Sequence, residues 1–267
     1  MSDVALGPVV VTLAASAGAV AATMLVAFLL GVVTGRHSIV DTIWGLGFVV
    51  VALVALVASA GQGSGTRRLV VVALVALWGV RLAVHVGRRA LRSGEDRRYV
   101  ALLARAPGSR DRYALRVVYL PQGLVMWWVS LPVQLALVER GPIGLLGLAG
   151  AAVALGGIAF EAIGDAQLGH FLAERTDRSA VMDRGLWRYT RHPNYFGDAC
   201  FWWGIYLVAA ARAPGALTVL SPVVMTALLT RGSGKALLER DIADRRPGYA
   251  DYVRRTSGFV PLPPRRT

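Results

Sequence analysis

Residues 188–198 read RYTRHPNYFGD and stand between two apolar stretches. Pro193 suits the first turn of a helix, where its missing donor would be unpaired anyway, so a helix is predicted to start there. Its N-terminus presents free N–H groups and a partial positive charge, which favours an anionic ligand group. Arg188 and Arg191 add forked donors suited to phosphate. Asn194 and Asp198 fall four residues apart on one face, and an amide beside a carboxylate can grip ribose hydroxyls or a carboxamide. With His192 and Tyr195 the stretch reads as a nucleotide clamp. The competing reading is a membrane-interface anchor. That reading is preferred for Trp187, Tyr189, Trp202 and Trp203, but it gives no reason to place Asp198 inside the next apolar segment. Upstream, EAIGDAQLGHF brings Glu161, Asp165 and His170 toward the clamp from the other side.

A second set of reactive side chains interrupts the apolar first half. Asp41 opens the segment DTIWG, which also carries Trp44; Arg81 and His85 are four residues apart, and Gln122 lies in YLPQG. Ionisable groups at membrane depth cost a few kcal/mol, about 2.5–3.5 for Asp or Arg, and usually face a partner or a cavity. For Asp41 and His85 the roles considered are acid chemistry or packed polar residues. For Gln122 they are substrate lining or a place beside the kinks expected at Pro121 and Pro132.

The elements that must position these groups are membrane helices. The 267 residues are 55% hydrophobic and only 17% charged, which excludes an ordinary water-soluble globule. Apolar windows near 9–34, 43–60, 69–87, 114–138, 143–163, 196–211 and 216–230 approach or meet the length of a span. The predicted fold is therefore all-α, a polytopic bundle of about seven transmembrane helices, with the polar segment 164–195 folding over its cytoplasmic mouth as a cofactor cap. The first window lacks a basic flank and cleavage site and reads as a retained span.

The formal charge of +13 does not point to nucleic acid, because the arginines cluster in the stretches 88–116 and 175–191 and in the tail after Arg231. With seven spans these fall on one side, which the positive-inside rule makes cytoplasmic, leaving the N-terminus outside. Arg67 and Arg68 run against that assignment. In the tail, Tyr249, Tyr252 and Phe259 anchor a mixed-charge segment, which suits a folded cap more than a lipid-binding patch. Cys200 is the sole cysteine, so no intrachain disulfide can form. No internal repeat or linker divides the chain, so it reads as one integral domain, with 1–140 on the substrate side and 141–267 holding the cofactor. Abundant Arg, Ala, Val and Gly with a single lysine suggest a GC-rich bacterial genome, hence a bacterial inner membrane.

GLWRYTRHPNYFGDACFWWG, followed by RRPGYADYVRRTSGFVPLPP, resembles the membrane-embedded steroid 5-alpha-reductase superfamily, and within it the bacterial DUF1295 branch. The resemblance runs from about Asp41 onward and is densest from Asp165 to Pro264. It implies a seven-helix bundle that binds NADPH on its cytoplasmic side and reduces a lipid entering laterally. In the reductases an Asn and an acidic residue contact the cofactor, matching Asn194 and Asp198. Further matches are Asp165, Tyr252, Arg245, Arg255 and Arg81. A second-span glutamate and a third-span tyrosine bind the substrate ketone there; the corresponding places here hold Asp41 and Trp78. Indole is no phenolic acid, so His85 is the substitute donor.

The resulting expectation is an NADPH-dependent reductase delivering hydride to an activated C=C of a membrane lipid, with a 3-oxo-4-ene steroid among the candidates. Asp41 and His85 are its catalytic pair, Trp44, Trp78 and Gln122 its substrate contacts, and no metal is invoked. One rival is an S-adenosylmethionine-dependent methyltransferase of the isoprenylcysteine carboxyl type, which carries a similar Arg-His-Pro element. Another is a lipid-binding bundle without catalysis.

Overall fold

The computed structural model describes residues 6–91, 94–177, 179–211, 213–231 and 246–265. Among these the regular structure is helical; the only pairing of strand type is an isolated parallel bridge between Thr190 and Ser257. Six segments are long and apolar enough to cross a bilayer: Leu6–Thr34, Ile39–Ala58, Gly65–Leu91, Arg110–Val138, Gly144–Glu174 and Pro214–Arg231. The seventh expected span, 196–211, does form a helix, Pro193–Ala210, but it is not among those six. Asn194 and Asp198 in its first turns dilute its hydropathy.

The chain packs as two compact units. One comprises Met1–Leu148 with Val208–Thr218, the other Ala149–Leu207 with Val219–Thr267. In the first, α1 (Leu6–Thr34) and α3 (Gly65–Leu91) both pack on α2 (Ile39–Ala58). Gly35, at φ 65°, ends α1 in the left-handed conformation that only glycine adopts cheaply. Gly45 and Gly79 let the backbones of α2 and α3 touch, since a Cβ at either would strike the other's carbonyl oxygen. Phe48 sits edge-on between Trp44 and Trp78, at centroid distances of 5.4 and 5.6 Å.

Two short helices, α4 (Arg97–Leu103) and α5 (Arg110–Ala114), carry the polar connection onward. A π-helical turn, Leu115–Tyr119, then leads into α6 (Leu120–Val129) and α7 (Leu131–Val138). Pro121 and Pro132 each fall in the first two residues of a helix, so the prolines segment this span as their missing donors require. At the far end, Arg67 and Glu139 are both fully buried 3.5 Å apart, and the guanidinium also donates to the carbonyls of Glu139 and Pro142. Arg68 donates to the carbonyls of Leu56, Ser59, Gln62 and Leu137.

The helix α8 (Gly144–Glu174) continues eleven residues beyond the expected boundary at 163. Hydropathy marks where lipid suitability ends, whereas Glu, Ala, Gln and Leu in this stretch continue a helix readily. In the second unit α8 meets α9 (Pro193–Ala210) along small residues. A Cβ at Gly197 would lie 2.6 Å from the Gly157 carbonyl oxygen, and one at Gly157 would lie 2.6 Å from Phe201 N. Such close backbone approach is the usual way apolar helices associate where water supplies no driving force. The chain continues through α10 (Ala213–Ala216), a 3-10 turn (Leu217–Val219) and α11 (Leu220–Arg231), and the described tail contains α12 (Tyr249–Arg255).

Candidate functional site

In the second unit, Pro193 opens α9 as its chemistry suggests, and a side chain on Gly164 would press against it at 3.1 Å. The loop before it is fixed from three directions. Gly185, at φ 56°, starts a 3-10 turn, and Leu186 N donates to Gln167 Oε1 at 2.9 Å. The Trp187 indole donates to the Gly164 carbonyl at 2.9 Å, while its own carbonyl accepts from the Tyr252 hydroxyl at 2.6 Å. The tail then clasps the loop: Arg191 N donates to Ser257 O, Leu262 N to Tyr189 O, and Thr190 Oγ1 to Phe259 O.

These bonds assign work to residues expected at the clamp. Arg191 Nη1 donates to the carbonyls of Val253 and Thr256, at 3.2 and 2.8 Å. Arg255 donates to Asp183 at 2.7 Å. Both guanidinium groups therefore tie the loop to the tail, as does Tyr252. His192 is buried and stacks on Tyr195, with rings 5.4 Å apart and 7° from parallel. Asn194 Oδ1 accepts from Tyr195 N at 3.0 Å. Glu161, Asp165 and Asp198 are all buried on α8 and α9, and Arg188 is exposed. Arg245 lies outside the described residues. The interface-anchor reading is overturned for Trp187 and Trp202, because each is enclosed by protein; Tyr189, at 43% exposure, remains at the surface. An indole that fills a packing gap and one that sits in headgroups look alike in a sequence.

The first unit holds a polar cluster around Asp41. The Tyr99 hydroxyl donates to Asp41 Oδ1 at 2.6 Å, and Gln122 Nε2 donates to the Tyr99 oxygen at 3.4 Å. Arg98 Nη2 lies 3.0 Å from both Asp41 Oδ2 and Asp96 Oδ2. Asp96 also caps α4 by accepting from Arg98 N at 2.8 Å, satisfying one of the helix's orphan donors. Burial and the Asp41 carboxylate push the Tyr99 phenol above its ordinary pKa. Burial opposes the charge on Asp96, but the Arg98 hydrogen bonds outweigh it and hold that carboxyl below its ordinary value. Burial opposes the Arg98 charge as well, yet Asp96 and Asp41 keep the guanidinium above its ordinary value.

Beside this cluster runs another. His37, 1% exposed, has Nδ1 3.0 Å from the Tyr119 hydroxyl and Nε2 3.0 Å from Asp111 Oδ1. The Glu95 carboxylate accepts from His37 N and Ser38 N, at 2.7 and 3.0 Å, and pairs with Arg110.

Of the residues singled out in sequence, Asp41 and Gln122 converge on Tyr99. Trp44 and Trp78 sandwich Phe48, and Trp78 is fully enclosed; Arg81 and His85 are half-buried on α3. Tyr99, Arg98, Glu95, His37 and Asp111 escaped notice because polar residues between spans look like ordinary loop, and Tyr119 because a tyrosine within a span needs no special reason. The usable signal was Asp96 followed by RRYVALL, an N-cap ahead of a short apolar run. Among the described residues no group of three or more His, Cys, Asp or Glu side chains suits a metal ion.

A family model described as "Protein of unknown function (DUF1295)" matches residues 27–256. No curated protein and no solved structure matches the chain.

Proposed function

The chain belongs to the DUF1295 family, and from that premise we propose that it is an NADPH-dependent membrane reductase acting on an activated C=C of a lipid. The supporting observation is the Asp41–Tyr99 pair, a phenol held at 2.6 Å by a carboxylate with an amide on its oxygen. The likeness to steroid 5-alpha-reductases asks for a phenol beside a second-span carboxylate. Tyr99 fills that place, which Trp78 and His85 filled poorly. The raised pKa of Tyr99 keeps its proton on the oxygen, available for donation. The polar groups of the second unit suit a dinucleotide: an amide, buried carboxylates and an exposed arginine near the N-terminus of α9. Asn194, Asp198, Asp165, His192, Tyr195 and Arg188 would hold it, with Arg191, Tyr252 and Arg255 fixing the loop.

NADPH supplies the hydride when bound. Negative charge then develops on the substrate's carbonyl oxygen. The Tyr99 O–H, turned from Asp41 onto that oxygen, stabilises the charge in surroundings where water competes poorly, while Arg98 keeps Asp41 in place. In this reading the protein spans a bacterial inner membrane seven times, α9 included, with the segment 175–192 and the tail as a cytoplasmic cap and the N-terminus outside. The substrate reaches Asp41 from the bilayer.

Thermal unfolding of the purified protein, titrated with NADPH and separately with S-adenosylmethionine, tests the cofactor. NADPH at a hundredfold its Kd should stabilise by about 2.7 kcal/mol. Asn194→Ala and Asp198→Ala should abolish that gain while the variants stay folded. Stabilisation by S-adenosylmethionine alone would replace the reductase with a methyltransferase, and no response to either would leave a lipid-binding bundle.

A further inference from the structure

Tyr99 and Asp41 meet through a 2.6 Å hydrogen bond, and each stands near the start of its helix. Tyr99 is the third residue of α4, which has only seven; helices below about 12–15 residues are marginal by themselves. Asp41 lies in the first turn of α2, where backbone N–H groups have no partner within the helix. Ser38, the N-cap of α2, makes no side-chain capping bond. The meeting of hydroxyl and carboxylate therefore needs a fixed relation between two helix starts.

A seam between residues 36–41 and 94–99 provides it. Arg36 Nη2 donates to Gly94 O at 3.1 Å, His37 N and Ser38 N donate to the Glu95 carboxylate, and Asp41 accepts from Arg98 and Tyr99. Each partner lies 57 or 58 residues further along the chain, so the two segments run side by side in register. Arg36 Nη2 also donates to Ala90 O at 2.8 Å, tying the same corner to the end of α3. Glu95 stands in the middle of the seam with its side chain only 11% exposed. Its oxygens take one N–H each, Oε2 from His37 at 2.7 Å and Oε1 from Ser38 at 3.0 Å. Asp96 N adds a donor to Oε1 at 3.2 Å, and Arg110 closes the outer side at 3.3 Å. A carboxylate in this place also complements the positive end of α2. Glu95 thus supplies the cap that Ser38 leaves out, while its neighbour Asp96 caps α4. One dipeptide sets the starts of both helices, the one that carries Asp41 and the one that carries Tyr99.

We propose that Glu95, by capping α2 beside the Asp96 cap of α4, is the positioning residue that holds the Tyr99 hydroxyl against Asp41 for the reduction, an inference that rests on the reductase reading above. Glu95 acts through the two helix starts and not on the substrate. Misplacing a reacting group by about 1 Å can cost about a hundredfold in rate. In Glu95→Gln an NH2 group replaces one oxygen and faces a backbone N–H, so one of the two bonds to α2 is lost. The seam then loosens between Asp41 and Tyr99 while both reactive groups remain present.

Amide hydrogen exchange, read by mass spectrometry on the full-length protein in detergent, tests the seam without cofactor or substrate. In Glu95→Gln the amides of 37–41 and 97–103 should exchange about tenfold faster or more, with those of 193–210 unchanged. Unchanged exchange in 37–41 or in 97–103 overturns the proposal whatever the activity proves to be. In turnover of a 3-oxo-4-ene steroid with NADPH, Glu95→Gln should lower kcat by about tenfold or more, keep KM within about twofold and leave the NADPH-induced thermal stabilisation intact. Should Glu95→Gln not fold, Glu95→Asp keeps both acceptor oxygens on a shorter stem and should show the same changes in smaller measure; its failure to do so overturns the proposal equally. The double variant Glu95→Gln/Tyr99→Phe separates positioning from general support. If Glu95 acts through Tyr99, the double variant should be no slower than Tyr99→Phe alone. Losses that multiply would make Glu95 a structural residue and overturn the proposal. If the wild type yields no reduced steroid while exchange behaves as described, the reductase reading falls, and the positioning role falls with it.

Discussion

At the residue scale, the proposed reduction turns on one hydroxyl of the first unit, that of Tyr99. Tyr99→Phe removes the oxygen and retains the ring that is buried beside Asp41. If Tyr99 stabilises the developing oxyanion, kcat should fall by about 10²–10³, the usual consequence of losing one such donor, while NADPH still raises the melting temperature. Steady-state kinetics paired with thermal scans would check this, and an unchanged kcat would return the role to another group. The sequence made Asp41 and Gln122 visible because each interrupts an apolar run, where a polar side chain needs a reason. It hid Tyr99 and His37 because their neighbours are Arg98, Asp96, Arg36 and Ser38, among which one more polar group carries no information. Arg191 and Tyr252 were visible as polar chemistry, but their hydrogen bonds to backbone carbonyls join segments 62 to 65 residues apart.

At the scale of elements, helices were legible wherever apolar residues accumulated, and the prolines correctly marked where the fourth span breaks. The end of α8 was not legible, because the cue that signals departure from lipid says nothing about the backbone's preference for a helix. The glycines joining α8 to α9 were equally silent until the two helices were seen face to face. Gly197→Ala places a methyl group 2.6 Å from the Gly157 carbonyl oxygen, so it should destabilise the protein by about 1–3 kcal/mol, as overpacking does. Gly18→Ala is the matched control. It lies mid-helix in α1 with no neighbouring atom within 4 Å, so the same substitution there should be neutral or mildly stabilising. Denaturation of the two variants in one detergent would separate them, and equal effects would mean that α8 and α9 do not meet as described.

At the scale of the whole molecule, the exposed surface is apolar along the spans: Leu25, Val26, Leu29 and Val33 project from α1, and Leu53 and Val57 from α2. Six helices of spanning length with such faces should keep the protein in the membrane pellet through alkaline carbonate washing, and its release into the supernatant would contradict integral insertion. The membrane class was plain from composition alone, whereas the division into two compact units depends on long-range packing that hydropathy does not encode. The enclosed Arg67–Glu139 pair bears on how such a protein is made. The acid is synthesised 72 residues after the base, and a buried guanidinium without its counter-ion is penalised by about 3–5 kcal/mol. Enclosing Arg67 before Glu139 is in place is therefore unfavourable, so the close packing around the start of the third helix is expected to form together with the end of α7.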